Sequence, residues 1–423
     1  MKTLMSKNWI LAIVLLLFGI TMTKAQTSWQ KYAGNPVLRG SITYGISGDF
    51  DETEALRPFM LEEKAGFRMW YVGVRGSMSV GESYSPDGVH WYVLRGNPEL
   101  SPGPPGSFDA AGIMNVSVLR DATGYKMYYY SRANGANRIG MAYSSDGYSW
   151  TKNPGNPVLD VGTAGSWDDA GVWAPNVMFE YNTYKMWYSG YDGTYLSIGY
   201  AYSGDGVHWV KYGNNPVVRH GPPGSFDSHS AGEASVVNSQ GRYHMVYTSY
   251  DGSRNKIGYA VSSDGARWTK FSGNPVLVPG PASWDGTGVG ASAIIFRDNQ
   301  FIMLYSGWGG NRAIGLATAP LNIRILQTDE FNTKTSDHRL ILEAFPNPFN
   351  PSVTVRYRLH NPEMVTLSIF NTLGEEIAML VNGGEPPGDH SIEWNAQNFS
   401  TGTYFCRLTI GGLSTTRKIL LVK

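Results

Sequence analysis

The sequence predicts an all-β protein: a five-bladed β-propeller followed by a small Ig-like β-sandwich. Three observations carry that prediction. A short motif recurs at Ser107-Phe108-Asp109, Ser166-Trp167-Asp168, Ser225-Phe226-Asp227 and Ser283-Trp284-Asp285, with a looser copy at Asp49-Phe50-Asp51. Its aromatic positions, 50, 108, 167, 226 and 284, step by 58, 59, 59 and 58, and a fixed period of this size marks a repeat architecture. The composition is rich in Gly (51 of 423), Tyr (26) and Trp (13), which favours turns and strands. Finally, the aromatic pattern stops near residue 323, and shorter alternating stretches follow.

Each copy of the repeat holds the same parts. An apolar stretch follows the Asp, as in Val172-Trp173-Ala174-Pro175-Asn176-Val177-Met178-Phe179, and then an aromatic strand, Tyr184-Lys185-Met186-Trp187-Tyr188-Ser189. A Gly-containing strand comes next, Ile198-Gly199-Tyr200-Ala201-Tyr202, closed by a tight turn at Asp205-Gly206, a strong hairpin signal. Trp209 opens a fourth strand that stops at Asn215-Pro216, where Pro removes a ladder donor. Four strands per unit, repeated radially, make a propeller blade. The fifth unit stops at Ile314-Gly315-Leu316-Ala317-Thr318-Ala319-Pro320, without a Trp or an Asn-Pro-Val. Those parts stand instead at Trp29 and Gly34-Asn35-Pro36-Val37-Leu38. The N-terminal strand is therefore expected to complete the last blade and remove a free sheet edge.

The two ends read as addresses. Lys2 and Lys7 precede an apolar run from Trp9 to Ile20, and Thr23 and Ala25 stand before Gln26. This is the pattern of a secretory signal peptide over 1–25, and the run is shorter than the ~20 residues a membrane-spanning helix needs. No later segment is apolar enough to span. The expected domains are the propeller at 27–322, a polar linker at 323–344 and the terminal domain at 345–423. Lys+Arg and Asp+Glu are 34 each, which argues against nucleic acid as a partner. Cys406 is the one cysteine, so no intramolecular disulfide or Cys-based zinc site exists.

The terminal domain opens with Phe345-Pro346-Asn347-Pro348-Phe349-Asn350-Pro351. It continues through Asn371-Thr372-Leu373-Gly374-Glu375-Glu376 and Ser400-Thr401-Gly402-Thr403-Tyr404 to a basic and apolar end. These motifs resemble the C-terminal sorting domain of type IX secretion. The resemblance implies passage across an outer membrane, with the type IX machinery as partner, then release or attachment at the cell surface.

Inside the propeller, the repeat supplies its own control. A residue shared by every unit serves the unit; a residue odd to one unit, on a strand lining the axis, is a site candidate. By that rule the shared Asp is structural, the Asp-Gly pairs at 87, 146, 205 and 264 are turns, and His90 and His208 are exposed. The sixth residue after the shared Asp is Arg57, Asn115, Ala174, Glu233 and Ala291 in turn. Neighbouring oddities are Glu52, Glu54, Asp169, Trp173 and His229. Carboxylates, a guanidinium, an amide, an imidazole and an aromatic face converging on one funnel suit a sugar.

Here the chain resembles the five-bladed propellers of glycoside hydrolase families 43, 32 and 130. The resemblance rests on the five units, the Ser-x-Asp-Gly-x-x-Trp turns, the Gly-Asn-Pro-Val-Leu strand ends and Trp173-Ala174-Pro175-Asn176. It implies hydrolysis of a poly- or oligosaccharide. Glu233 would protonate the leaving oxygen, Glu54 (or Glu52 or Asp169) would activate water, and Arg57, Asn115, Trp173, Asn176, His229 and Asp169 would hold the sugar. The match departs from the pattern where Asn176 replaces an Asp and where the second unit offers no inner-strand carboxylate. A non-catalytic glycan-binding or adhesive propeller, or a purely structural surface protein, therefore stays open. An ion pair between Glu233 and Arg57 is the structural alternative to an acid. No cofactor is expected; the resemblance allows a calcium ion in the tunnel, but no metal ligand cluster demands one.

Overall fold

The computed structural model describes residues 29–41, 48–321 and 342–423, apart from 134, 181, 240, 283, 311, 360–362, 373, 387, 411 and 412. The expected signal peptide and most of the expected linker lie outside the described residues. All described regular structure is β, with no α-helix, and hence no helix long and apolar enough to cross a membrane.

Strands β1 (Gln30–Lys31) and β2 (Leu38–Arg39) come first. The first unit holds β3 (Glu54–Glu63), β4 (Gly66–Arg75), β5 (Ser77–Ser85) and β6 (Tyr92–Val93). The second holds β7 (Met114–Asp121), β8 (Gly124–Ala133), β9 (Ala136–Ser144) and β10 (Thr151–Lys152). The third holds β11 (Gly171–Glu180), β12 (Thr183–Tyr191), β13 (Leu196–Ser203) and β14 (Val210–Lys211). The fourth holds β15 (Ser230–Ser239), β16 (Arg242–Tyr250), β17 (Asn255–Ser262) and β18 (Thr269–Lys270), and the fifth β19 (Val289–Arg297), β20 (Gln300–Gly307) and β21 (Ala313–Pro320). Within each unit, consecutive strands pair antiparallel. The first strands of the units pack side by side in a closed order, β3 to β7 to β11 to β15 to β19 and back to β3. They therefore surround a common axis.

The fifth unit takes its outer strand from the N-terminus. Gln30 pairs with Thr318 and Lys31 with Ala317, while Leu38 pairs with Ile314. A repeated lock confirms the phase of that strand. In four units a lysine of the outer strand meets the buried motif Asp: Lys152 with Asp109, Lys211 with Asp168, Lys270 with Asp227, and Lys31 with Asp285 at 2.5, 2.7, 2.5 and 2.6 Å. A tyrosine hydroxyl of the second strand also donates to this Asp, from Tyr71, Tyr129, Tyr188 and Tyr247. The shared Asp is thus a buried structural anchor. Its aromatic neighbour packs over the glycines of the second and third strands: a Cβ at Gly190 or Gly199 would come 2.2 or 2.5 Å from the Trp167 ring. That contact is why Gly recurs in these strands.

The asparagine of each Asn-Pro pair acts as a strand substitute. Asn215 accepts the Tyr200 N–H at 2.8 Å and donates to its carbonyl at 2.9 Å, and Asn35, Asn97, Asn156 and Asn274 repeat this on Leu316, Glu82, Met141 and Tyr259. The Asp-Gly turns are closed by side chains too. Asp205 Oδ1 accepts the N–H groups of Val207 and His208 at 2.8 Å, and His90 and His208 point outward with side-chain exposures of 69% and 88%.

The terminal region forms two antiparallel sheets. β22 (Leu342–Phe345), β23 (Ser352–Leu359) and β26 (Gly388–Asn395) make one; β24 (Glu363–Phe370), β25 (Glu376–Glu385), β27 (Gly402–Ile410) and β28 (Leu413–Leu421) make the other. Both sheets share one apolar core around Phe349, Val355, Leu367, Trp394 and Leu408. Cys406 lies in that core as a free thiol, and burial pushes its pKa up to about 12.

Candidate functional site

The inner strand of every unit is interrupted at one place. Register shifts fall between Leu56 and Phe59, Met114 and Ser117, Trp173 and Asn176, Gly232 and Ser235, and Gly290 and Ser292. Each is a bulge, which inserts a residue and re-aims a side chain. In the first four units the inserted residue has a left-handed backbone: Arg57 (φ 54°), Asn115 (47°), Ala174 (49°) and Glu233 (48°). These are positions that L-residues seldom occupy. Neighbouring units support two of them, since the Arg57 N–H donates to Ser306 Oγ at 2.8 Å and the Glu233 N–H to Ser189 Oγ at 2.7 Å. Ala174 shows that the bulge itself requires no polar side chain.

The bulge brings Arg57 and Glu233 together. The first and fourth units are not neighbours in the ring, yet Arg57 Nη1 donates to Glu233 Oε1 at 2.7 Å, so the pair spans the axis. The side chains are 22% and 10% exposed. Tyr130, from β8 of the second unit, lies beneath the guanidinium, its ring centroid 6.0 Å from Arg57 Cζ. Burial alone would lower the Arg57 pKa; Tyr130 and the Glu233 carboxylate outweigh it and hold the guanidinium above its ordinary value. Burial raises the Tyr130 pKa, with Arg57 opposing and Glu233 adding. Glu233 Oε2 is buried and has no hydrogen-bond partner among the described residues. An orphaned carboxylate oxygen is costly, and a hydroxyl placed beside it would satisfy it.

The other predicted residues have partners of their own, apart from this pair. Asn115 is half-buried on its bulge. Glu54 opens β3 and pairs with Arg312 at 3.5 Å, and Glu52 pairs with Arg75 at 3.1 Å. Asp169 accepts the Gly165 N–H at 2.6 Å. Trp173 packs on Tyr191, centroids 5.8 Å apart, and His229 is exposed beside Tyr250. Asn176 is buried, and its Oδ1 accepts the Val236 N–H of the next unit at 3.0 Å. Ser117 and Ser235, at the same place in their units, make the matching link to Val177 and Ile294. Asn176 thus joins units, a role its local motif does not signal.

Tyr130 was missed by the sequence reasoning. Its column holds Val72, Ser189, Thr248 and Ser306 in the other units, so applying the repeat control to the second strand would have singled it out. A cavity of about 720 Å³ lined by Tyr200, Tyr202 and Tyr212 with Glu363 and Met364 borders none of the axial residues. The site is placed on the axis because Arg57, Glu233 and Tyr130 meet there. Among the described residues, no group of three or more His, Cys, Asp or Glu could hold a metal ion.

Comparison with known proteins places these features. Two uncharacterized proteins of Mycobacterium tuberculosis, from strains CDC 1551 / Oshkosh and ATCC 25618 / H37Rv, are 30% identical over 269 residues, 59% of this chain and 87% of theirs. The chain belongs to the family of these two proteins. A β-1,2-mannobiose phosphorylase from Thermoanaerobacter sp. (strain X514) is 29% identical over 118 residues, 24% of this chain and 37% of that enzyme. Residues 343–423 match the secretion system C-terminal sorting domain, and the chain carries this type IX sorting tail. Among solved structures, a thermostable family-43 glycoside hydrolase superposes with a TM-score of 0.51 at 18% identity, over 64% of this chain and 91% of its own. A structure described under the GH130 family of mannoside phosphorylases, containing hydrolases that target β-1,2 mannosidic linkages, gives 0.55 at 15% identity over 70% and 94%. The fold is that of the glycoside hydrolase propellers of these two families.

Proposed function

We propose that this is an exported protein of the cell surface whose five-bladed propeller, closed by the strand at Trp29–Arg39 and followed by an Ig-like sorting domain, binds a glycan at its axis. One observation carries the reading: the Arg57–Glu233 pair across the axis, with Glu233 Oε2 left for a ligand. A sugar hydroxyl can donate to that oxygen and a second hydroxyl can accept from the guanidinium, while Tyr130 and Trp173 offer ring faces. Asn115 completes the polar set. Few convergent polar groups among aromatic walls are the usual make-up of a small-molecule site.

The test is a glycan array on the purified protein, led by β-1,2-mannosides, the linkage on which the similar phosphorylase acts. Glu233→Gln and Arg57→Met should each weaken the strongest hit at least about tenfold, the order of one charge-assisted hydrogen bond. Unchanged binding in both variants would remove the axis as the site.

The buried, unpartnered Oε2 favours a second reading, hydrolysis, which the Arg57 ion pair opposes. A ligand that drew Arg57 away would free Glu233 to act as the acid, with Glu54, Glu52 or Asp169 activating water. If a hit is cleaved, Glu233→Gln should slow cleavage about 10²–10⁴-fold. Full activity in that variant rules out the acid role. For export, deleting 343–423 should leave the propeller folded and abolish surface delivery in a host with type IX secretion; surface delivery of the truncated chain would contradict the sorting role.

A further inference from the structure

The repeat control points to one more place, at the rim between the third and fourth units. Tyr195 stands in the β12–β13 hairpin, where the fourth and fifth units carry Arg254 and Arg312. His220 stands before the Gly that precedes the next motif, where the first and fourth units end in Pro102 and Pro279. Both residues are odd to their unit, and the fold brings them together. Their rings stack, with centroids 4.1 Å apart and planes 11° from parallel. Tyr195 stays 39% exposed.

Both rings are held in place. Asp192 Oδ1 accepts the N–H groups of Thr194 and Tyr195 at 2.8 and 2.7 Å, which closes the hairpin under the tyrosine. The His220 N–H donates to Ser197 Oγ at 3.3 Å, and its Nδ1 lies 3.0 Å from the Gly221 carbonyl. The platform is also tied to the axial site. Leu196, the next residue, donates its N–H to the His229 carbonyl at 3.3 Å. Its Cδ2 would lie 2.4 Å from a Cβ at Gly232, the residue before Glu233. Tyr195 is thus one residue from Leu196, which packs against the residue before Glu233.

We infer that the Tyr195–His220 stack is a platform for an outer sugar unit of a chain whose end occupies the Arg57–Glu233 site, so that the ligand is an oligosaccharide rather than a single sugar or a disaccharide. This rests on the glycan reading above and extends it. The C–H face of a pyranose packs on a flat ring, and a ring already fixed by stacking and by backbone bonds loses little freedom on binding. A purely architectural stack would hold the 219–229 connection in place and would not sense ligand length.

The experiment is calorimetry on the full chain with β-1,2-manno-, xylo- and arabino-oligosaccharides, each of two and six units. For whichever series binds, the wild type should hold the hexamer about tenfold more tightly than the dimer, as one aromatic contact would give. Tyr195→Ala should erase that difference and leave dimer affinity unchanged, and Tyr195→Phe should keep it. A Tyr195→Ala variant that retains the wild-type length preference overturns the platform and leaves the axial site standing. One that weakens dimer and hexamer equally shows that Tyr195 acts through the fold, which also overturns it. If the wild type binds no member of any series, this inference fails, and the axial reading stands or falls on the array.

Discussion

In the third unit, Asp168 meets the Lys211 ammonium at 2.7 Å and the Tyr188 hydroxyl at 3.1 Å. In the first, Asp51 keeps the tyrosine, Tyr71 at 2.8 Å, but Val93 stands where the other units carry lysine. The anchor is the same and its charge balance is not. Burial raises the Asp51 pKa, with the Tyr71 and Ser41 hydrogen bonds opposing. At the axis the contrast runs the other way: the first unit carries Arg57 where the third has Ala174. The unit that contributes the axial cation is thus the one with the weaker outer lock. Together the units show that shared residues hold each sheet, while departures from the repeat mark either a ligand site or a weak point.

The largest test of this contrast removes a lock together with its strand. Deleting residues 27–38 strips β1 and half of β2 from β21 and takes Lys31 from Asp285. The cooperative unfolding transition should fall by more than ~4 kcal/mol, beyond the ordinary range for single lesions. An unchanged thermal transition would show that the closing strand is ornamental.

Next comes the axis. Arg57→Ala leaves Glu233 unpaired in a nearly buried setting and should cost about 3 kcal/mol, whereas Arg57→Met with Glu233→Gln removes both charges and should cost far less. Denaturant titration of the two variants distinguishes them. Equal losses would mean that packing, not charge, holds the pair.

The locks themselves give smaller effects. Lys211→Ala should destabilise by about 1–3 kcal/mol, because Asp168 stays buried without its cation. Val93→Lys should do the reverse in the first unit, adding roughly 0.5–1.5 kcal/mol. The sign with pH follows from the raised pKa of Asp51. Its carboxyl ionises less readily in the folded protein than in the unfolded chain, so its contribution is present below the ordinary Asp pKa and is lost as pH rises through the raised value. Val93→Lys should flatten that fall in stability, and a slope identical to wild type would show that the new ammonium does not reach Asp51. At the small end, His208→Ala at an exposed turn should change stability by no more than ~0.5 kcal/mol, since its side chain is 88% exposed.

Much of this molecule was legible in the order of its residues. The steps between motif aromatics predicted the units. The Trp29 to Leu38 segment carried the missing outer strand of the fifth unit in the right phase, and β1 and β2 pair with β21 accordingly. Such features are readable because each strand's role is set by local alternation and by a fixed offset from the motif, both of which lie along the chain. The bulge column, Arg57 to Ala291, was legible for the same reason.

What tertiary structure alone decided is which side chains meet across the ring. Asn176 looked like a sugar contact from its Trp-Ala-Pro-Asn setting, yet its Oδ1 accepts Val236 N–H, a donor 60 residues away. Arg57 and Glu233 are 176 residues apart and lie in units that do not touch in sequence or in the ring, yet they bond at 2.7 Å. Tyr195 and His220 form a flat stack that neither local motif announces. Periodicity along the chain records where each side chain sits on its strand. The distance between two such positions depends on the diameter of the closed ring, on the turn of the backbone at each bulge and on the rotamers that packing allows, and these are settled only when all the strands are in place.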